Sequence, residues 1–274
     1  MSRGWTVLKL GGELLEEPAR IGELAAAVRR AAAVLPLVIV HGGGREIDAA
    51  LKRAGIAKRQ VEGVRVTDEA TLGVVVEVLA GAINTRLVAA INAAGGQAVG
   101  LTGADAGVAT VDAAPPHTSV DGTVTDLGYV GRPIASGPPR LLTDLGSHGY
   151  LPVVASIGMS VDGSLYNVNA DTMAAHVAGR LRAARLVVAG ATAGVLDEHG
   201  RTIDQLDCAA ASALIASGTA SAGMIAKLRA CQDAIGNGAG EVLLMDGRRA
   251  QAIETVLTDA DSRRAGDSLT RMVA

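Results

Sequence analysis

Short β-branched runs that end in glycine alternate along this chain with longer Ala- and Leu-rich runs that carry charges at helical spacing. Strand, helix, strand in succession argues for a mainly parallel sheet sandwiched by helices, each crossover returning the chain to the same end of the sheet. The pattern predicts strands at Trp5–Leu10, Leu37–Val40, Ala98–Leu101, Leu151–Ser156, Arg185–Ala189 and Glu241–Met245. It predicts helices at Ile21–Val34, Glu46–Ala54, Glu69–Ala94, Arg140–His148, Ala170–Leu181, Cys208–Ser217 and Met224–Asn237. Runs such as LPLVIV are apolar at every position, as in central strands covered on both faces. Phe is absent and aromatic residues are 1% of the chain, so Ala, Val, Leu and Ile must fill the core. The expected fold is a three-layer αβα sandwich in two lobes, 1–182 and 183–274, with the seam near Leu181–Leu186. Ala109–Gly137 departs from the alternation. Its short segments, separated by Pro and Gly, read as a β-hairpin excursion off the sheet.

Composition removes several classes of function. A net charge of -3 offers no basic stripe for a polyanion, and so few aromatic rings leave nothing on which bases could stack, so no nucleic acid is expected as partner. Cys208 and Cys231 have no Cys or His beside them, which argues against a zinc site and for two reduced thiols, with a disulfide left open. No uninterrupted run approaches the ~18 apolar residues of a membrane span, and Met1–Lys9 lacks a cationic region followed by an apolar stretch. A cytoplasmic protein without membrane attachment is the expectation.

In open parallel sheets, ligands collect at the carboxyl ends of the strands. After the first strand comes Lys9-Leu10-Gly11-Gly12. After the second comes His41-Gly42-Gly43-Gly44, running into a helix expected to open at Arg45 or Glu46. Glycines let backbone N–H groups approach an anion unhindered, and the first N–H groups of a helix are unpaired. One such loop reads equally well as a mere turn; two on neighbouring strands, with Lys9 at the end of the first strand, point to a phosphate cradle. The Walker loop GxxxxGK[ST] is absent, and Gly238-Ala239-Gly240 precedes a strand, so neither usual nucleotide fingerprint is present.

Three further segments carry candidate chemistry. In Arg65-Val66-Thr67-Asp68, Asp68 is suited to cap the helix from Glu69; Arg65 is either a surface residue or a guanidinium fork for a carboxylate. In Asn167-Val168-Asn169-Ala170-Asp171, the two amides share one side of an extended segment and Asp171 stands at a helix start, where its plain role is a cap. Lys227 falls in the first turn of a predicted helix, where a cation opposes the dipole unless an anion shares the site.

Taken in order, KLGG, HGGG, RVTD, GLTGADAG, LGYVGRP, GYLPVVASIG, NVNAD, AGVLD and GMIAKL resemble the amino acid kinase family nearly end to end, and Gly128–Asp171 resembles its N-acetylglutamate kinase branch. The resemblance implies ATP-dependent phosphorylation of the side-chain carboxylate of an acylated amino acid, N-acetyl-L-glutamate first, as a step of arginine biosynthesis. The first lobe would bind the acylated amino acid and the second ATP, with Mg2+ carried by the nucleotide and no protein-held metal. Lys9 and Lys227 would stabilise the phosphoryl group in flight and Asp171 would orient both. Gly11, Gly12, Gly43 and Gly44 would donate N–H groups to phosphoryl oxygens. Arg65, Asn167 and Asn169 would hold the substrate, and Thr192, Gly194, Gly223 and Met224 would face the nucleotide.

The chain departs from the family pattern at three places. An acidic residue is expected where Ala191 stands, in the loop Ala189–Gly194 that contacts the nucleotide, and Thr192 is positioned to replace part of that contact. Ala222-Gly223 replaces a glycine pair, and Arg45 follows HGGG. The first strand begins almost at once, which resembles the unregulated homodimeric form. An acetylaminoadipate-like substrate and a non-catalytic regulator that binds nucleotide or amino acid are the alternative readings.

Overall fold

The β-branched runs fold as strands and the Ala- and Leu-rich runs as helices, in a computed structural model that describes residues 4–119, 122–134, 137–217, 221–259 and 269–274. Eight strands make one sheet: β1 (Thr6–Leu10), β2 (Leu37–His41), β3 (Ala98–Thr102), β4 (Leu151–Ala155), β5 (Arg185–Gly190), β6 (Gln205–Asp207), β7 (Val242–Asp246) and β8 (Leu269–Val273). Their spatial order is β6-β8-β7-β5-β1-β2-β4-β3. Every pairing is parallel except β7 with β8. β1 and β2 are buried at every position, Thr6, Lys9 and His41 included with their apolar residues.

Side-chain alternation splits the interior in two. Leu8, Leu10, Ile39, Val153 and Val187 face helices α1 (Pro18–Ala32), α2 (Gly44–Arg53), α3 (Glu69–Ala93) and α8 (Ala250–Thr258). Val7, Val38, Val40, Val154 and Val188 face α4 (Arg140–Ser147), α5 (Ala170–Leu181), α6 (Cys208–Ala216) and α7 (Ala222–Gly236). These are the three layers expected from the alternation. β1 pairs with β2 on one side and β5 on the other, so residues remote in sequence meet at its carboxyl end.

α3 is long and apolar enough to cross a bilayer by length and composition alone. Here it lies on the sheet through Val75, Leu79, Ile83, Leu87 and Ile91. Its centre, Glu77–Ile83, is a π-helical turn. That wider turn seats Leu79 and Ile83 beneath the second glycine loop, where a Cβ on Gly43 would stand 2.1 Å from Ile83 Cδ1.

The excursion after Ala109 forms as predicted where it is described. Val111–Ala113 pairs antiparallel with Gly131–Pro133, and His117–Thr118 with Val124–Thr125. Its residues 120–121 and 135–136 lie outside the described part, as do 260–268. Gly128 has φ +66° and a Cβ there would meet the Thr67 carbonyl at 2.4 Å, so this crossing requires glycine.

β6, β8 and α8 were not anticipated. β8 reads Leu-Thr-Arg-Met-Val, buried at only every second position, and Arg271 turns outward to pair with Glu241 at 2.7 Å. Such an amphipathic strand lacks the continuous apolar signal of β1 or β2. α1 starts earlier than predicted because Pro18 supplies its first turn.

Candidate active site

Lys9 is the penultimate residue of β1 and shares the face of Val7, towards α5. Asp171 is the second residue of α5. Lys9 Nζ stands 2.8 Å from Asp171 Oδ1 as a close ion pair, and Lys227 Nζ, from α7, stands 3.4 Å from Oδ2. The three side chains are 8%, 12% and 18% exposed, so little solvent screens them. Burial alone would push the Asp171 carboxyl up; the charges of Lys9 and then Lys227 outweigh it and hold it below the usual carboxylate range. Cys231, buried beside this cluster, is pushed up to about 12, chiefly by desolvation and then by the Asp171 charge. Both cysteines are free thiols.

Two local expectations change. Asn169, not Asp171, caps α5: its Oδ1 accepts from the Asp171 and Thr172 N–H groups at 2.8 and 3.2 Å. The Asp171 carboxylate is thereby released to face the lysines. α7 begins at Ala222, capped by Ser221, so Lys227 lies beyond the first turn and the dipole penalty on it is weaker than the sequence implied. Asp68 does cap α3, accepting the Thr71 N–H at 2.8 Å.

The glycine loops meet beside Lys9. A Cβ on Gly12 would lie 2.7 Å from the Gly43 Cα, so the two backbones touch. α2 opens at Gly44, one residue earlier than expected. The N–H groups of Gly12, Gly43 and Gly44 make no hydrogen bond among the described residues, which leaves a cluster of donors at a helix start. The Gly11 N–H does not join them, because it donates to the Ala189 carbonyl at 2.9 Å.

Lys9, Gly12, Gly43, Gly44 and Asp171 line a cavity of about 260 Å³ together with Arg65, Val130, Asn167 and Asn169. Arg65 is not a surface residue. Its Nη2 donates to Asp48 Oδ1 at 2.5 Å and to the Gly44 carbonyl at 3.4 Å, while Nη1 is buried with no partner among the described residues. Asn167 Nδ2 donates to Thr67 Oγ1 at 3.2 Å. Thr192, Gly194, Gly223 and Met224 lie outside this cavity, the first two on the loop after β5 and the last two in the first turn of α7. Gly194 has φ +91° and packs against Thr270. Arg45 points away and pairs with Glu16 at 3.4 Å on the exposed side of α2.

Reading the sequence missed Asp48, Thr67 and Glu13. The first two hold Arg65 and Asn167 in place. Glu13 lines the cavity and accepts the Ala191 N–H at 3.0 Å. Its only sequence signal was its place directly after KLGG. No group of three His, Cys, Asp or Glu residues able to hold a metal occurs among the described residues.

An ion-paired Asp with two lysines, beside unpaired glycine N–H groups, is suited to stabilise charge on a phosphoryl group. Over 272 residues the chain is 40% identical to acetylglutamate kinase from Sphingopyxis alaskensis, covering 97% of this chain and 88% of that one. It is 42% identical to acetylglutamate kinase from Nitrobacter hamburgensis, covering 90% and 84%. In fold it is similar to N-acetylglutamate synthase from Neisseria gonorrhoeae, with a TM-score of 0.81 at 24% identity over all of this chain and 60% of that one. Giardia carbamate kinase superposes with a TM-score of 0.69 at 14% identity over 100% and 99%. The amino acid kinase family pattern matches residues 4–246. With the two lysines and Asp171 brought together at the ends of its parallel strands, this chain belongs to the amino acid kinase family.

Proposed function

We propose that this protein is an acetylglutamate kinase, transferring the γ-phosphoryl group of ATP to the side-chain carboxylate of N-acetyl-L-glutamate in arginine biosynthesis. The observation that carries the reading is the Lys9–Asp171–Lys227 cluster, placed against a cavity that also holds Arg65. The relatives named acetylglutamate kinase support the substrate.

The attacking carboxylate needs no general base, so the task is alignment and charge neutralisation. A carboxylate oxygen of the substrate forms a bond to the γ-phosphorus as the bond to the β-phosphate oxygen breaks, releasing ADP. Lys9 and Lys227 would neutralise the incoming and leaving oxygens, and Asp171 would hold the two ammonium groups apart and aimed. Gly12, Gly43 and Gly44 would donate to the phosphoryl oxygens; Gly11 provides space. Arg65 would use its unpartnered Nη1 on a substrate carboxylate, with Asn167 and Asn169 on neighbouring polar groups. Half 1–182 would hold the acylated amino acid. Half 183–274 would hold ATP, through Thr192, Gly194, Gly223 and Met224. Mg2+ bound to the nucleotide would neutralise part of the polyphosphate charge. A cytoplasmic homodimer is part of the reading, with the Ala- and Val-rich α3 supplying the dimer face.

The test is an ATP-dependent assay that traps acyl phosphate with hydroxylamine. N-acetyl-L-glutamate is run beside N-acetyl-aminoadipate, glutamate and aspartate. Hydroxamate from N-acetyl-L-glutamate alone supports the reading. Product from N-acetyl-aminoadipate alone would replace the substrate, and no product from any would remove the kinase activity.

A further inference from the structure

Glu13 sits directly after the first glycine loop, yet its side chain turns inward. Oε1 accepts the Ala191 N–H at 3.0 Å, across the seam between β1 and β5. The carboxylate lies over Gly11, where a Cβ would stand 2.4 Å from Oε1, and a Cβ on Gly190 would stand 3.2 Å from it. Glu13 also lines the cavity that holds Lys9, Gly12, Gly43 and Asp171. Among the described residues no Lys or Arg pairs with it, since the two nearby lysines are drawn to Asp171. Oε2 has no hydrogen-bond partner among them either.

This placement is repulsive towards a bound phosphate. A carboxylate without a counter-ion shares a partly enclosed cleft with donors suited to phosphate, and like charges at short range in low dielectric disfavour one another. A cation between them reverses the sign. Mg2+ keeps several waters and is typically held by one or two carboxylates plus substrate phosphates. The chain has no cluster of three ligands among its described residues, so the ion must arrive with the nucleotide, and one free carboxylate is the complement such an ion needs. At the start of the loop after β5, Gly190-Ala191-Thr192-Ala193-Gly194-Val195-Leu196 is neutral, and Asp197 beyond it is paired with Arg201 at 2.9 Å.

We propose that Glu13 ligates the nucleotide-borne divalent cation, directly or through one of its waters, supplying from the β1 side the acidic group absent from Gly190–Leu196. The inference rests on the ATP reading of the site. Oε1 at the same time ties Ala191 to β1, so one side chain both positions the loop and meets the metal.

The experiment is calorimetric titration of the non-hydrolysable analogue AMP-PNP into wild type and Glu13→Gln, each with Mg2+ and with EDTA. Gln keeps an oxygen for the Ala191 N–H and removes the charge. The expected result is an affinity for Mg-AMP-PNP lower by on the order of tenfold, with metal-free AMP-PNP bound as well as or better than by wild type. The Ala191→Asp, Glu13→Gln double variant should recover Mg2+ dependence. Equal weakening with and without Mg2+ would mean that Glu13 only braces the loop and would overturn the proposal, as would no change in either. Absence of AMP-PNP binding to folded wild type under both conditions would instead overturn the nucleotide reading beneath it.

Discussion

Lys9 Nζ stands 2.8 Å from Oδ1 of Asp171, joining the end of β1 to the first turn of α5. With Lys227 on the second carboxylate oxygen, two positive charges are held beside one negative charge in a cleft of low exposure. Removing either ammonium should lower kcat by about 100-fold or more, the scale of one preorganised donor in other enzymes. Lys9→Ala and Lys227→Ala, measured by hydroxamate formation with circular dichroism as a folding control, are the variants. Near-normal turnover in both would sink the phosphoryl-transfer assignment.

Arg65 carries one satisfied and one unsatisfied guanidinium nitrogen. A lysine can replace the charge but not the fork. Arg65→Lys is therefore expected to raise KM for N-acetyl-L-glutamate by about tenfold or more while leaving KM for ATP near wild type. Equal rises in both constants would place Arg65 outside the acyl-amino-acid site.

His41 is fully buried at the end of β2, where Asn84 Nδ2 donates to its Nε2 at 3.1 Å and its Nδ1 faces the Gly42 carbonyl at 3.2 Å. Desolvation lowers its pKa from 6.5 to about 4. The unfolded chain therefore takes up the proton first. The stability due to a neutral His41 is complete above pH 6.5 and is lost as pH falls towards 4, by about 3 kcal/mol across the window. His176, lowered to about 4 by burial, adds in the same direction. Urea unfolding from pH 8 to 4 should show this loss in wild type and a shallower slope in His41→Gln. An unchanged slope in the variant would contradict the buried neutral imidazole.

Gly43 is held by packing as well as by chemistry. A Cβ there would stand 2.1 Å from Ile83 Cδ1 and 2.9 Å from Leu79 Cδ2. Gly43→Ala should destabilise the fold by roughly 1–3 kcal/mol, as overpacking does. Ile83→Val removes the clashing methyl, so the double variant should recover part of that loss in chemical denaturation. Strict additivity of the two changes would show that the π-helical turn does not press on the glycine loop.

Much of this architecture was legible beforehand because its causes are local. Apolar continuity in β1 and β2, glycines at strand ends and the Asp68 cap depend on near neighbours in the chain. β8 and β6 escaped because their burial alternates or is brief. Their strand character comes from the strands beside them, as when Arg271 meets Glu241. The same division runs through the site. The sequence marked Lys9, Asp171 and Lys227 as unusual, and the glycine loops as anion donors, through residue type and position alone. It misassigned the cap of α5, since Asn169 and Asp171 are both good caps and backbone direction decides which one turns inward.

What the sequence by itself determined was therefore the order of strands and helices, the apolar interior and the chemical kinds of group at the strand ends. Only the tertiary structure decided which of those groups meet. Parallel pairing of β1 with β5 sets Glu13 against Ala191, the register of α2 sets Asp48 against Arg65, and α5 packed on α7 brings Asp171 to Lys227. Each is a contact between segments far apart in the chain. Its energy depends on burial and distance, and neither exists until the sheet has formed.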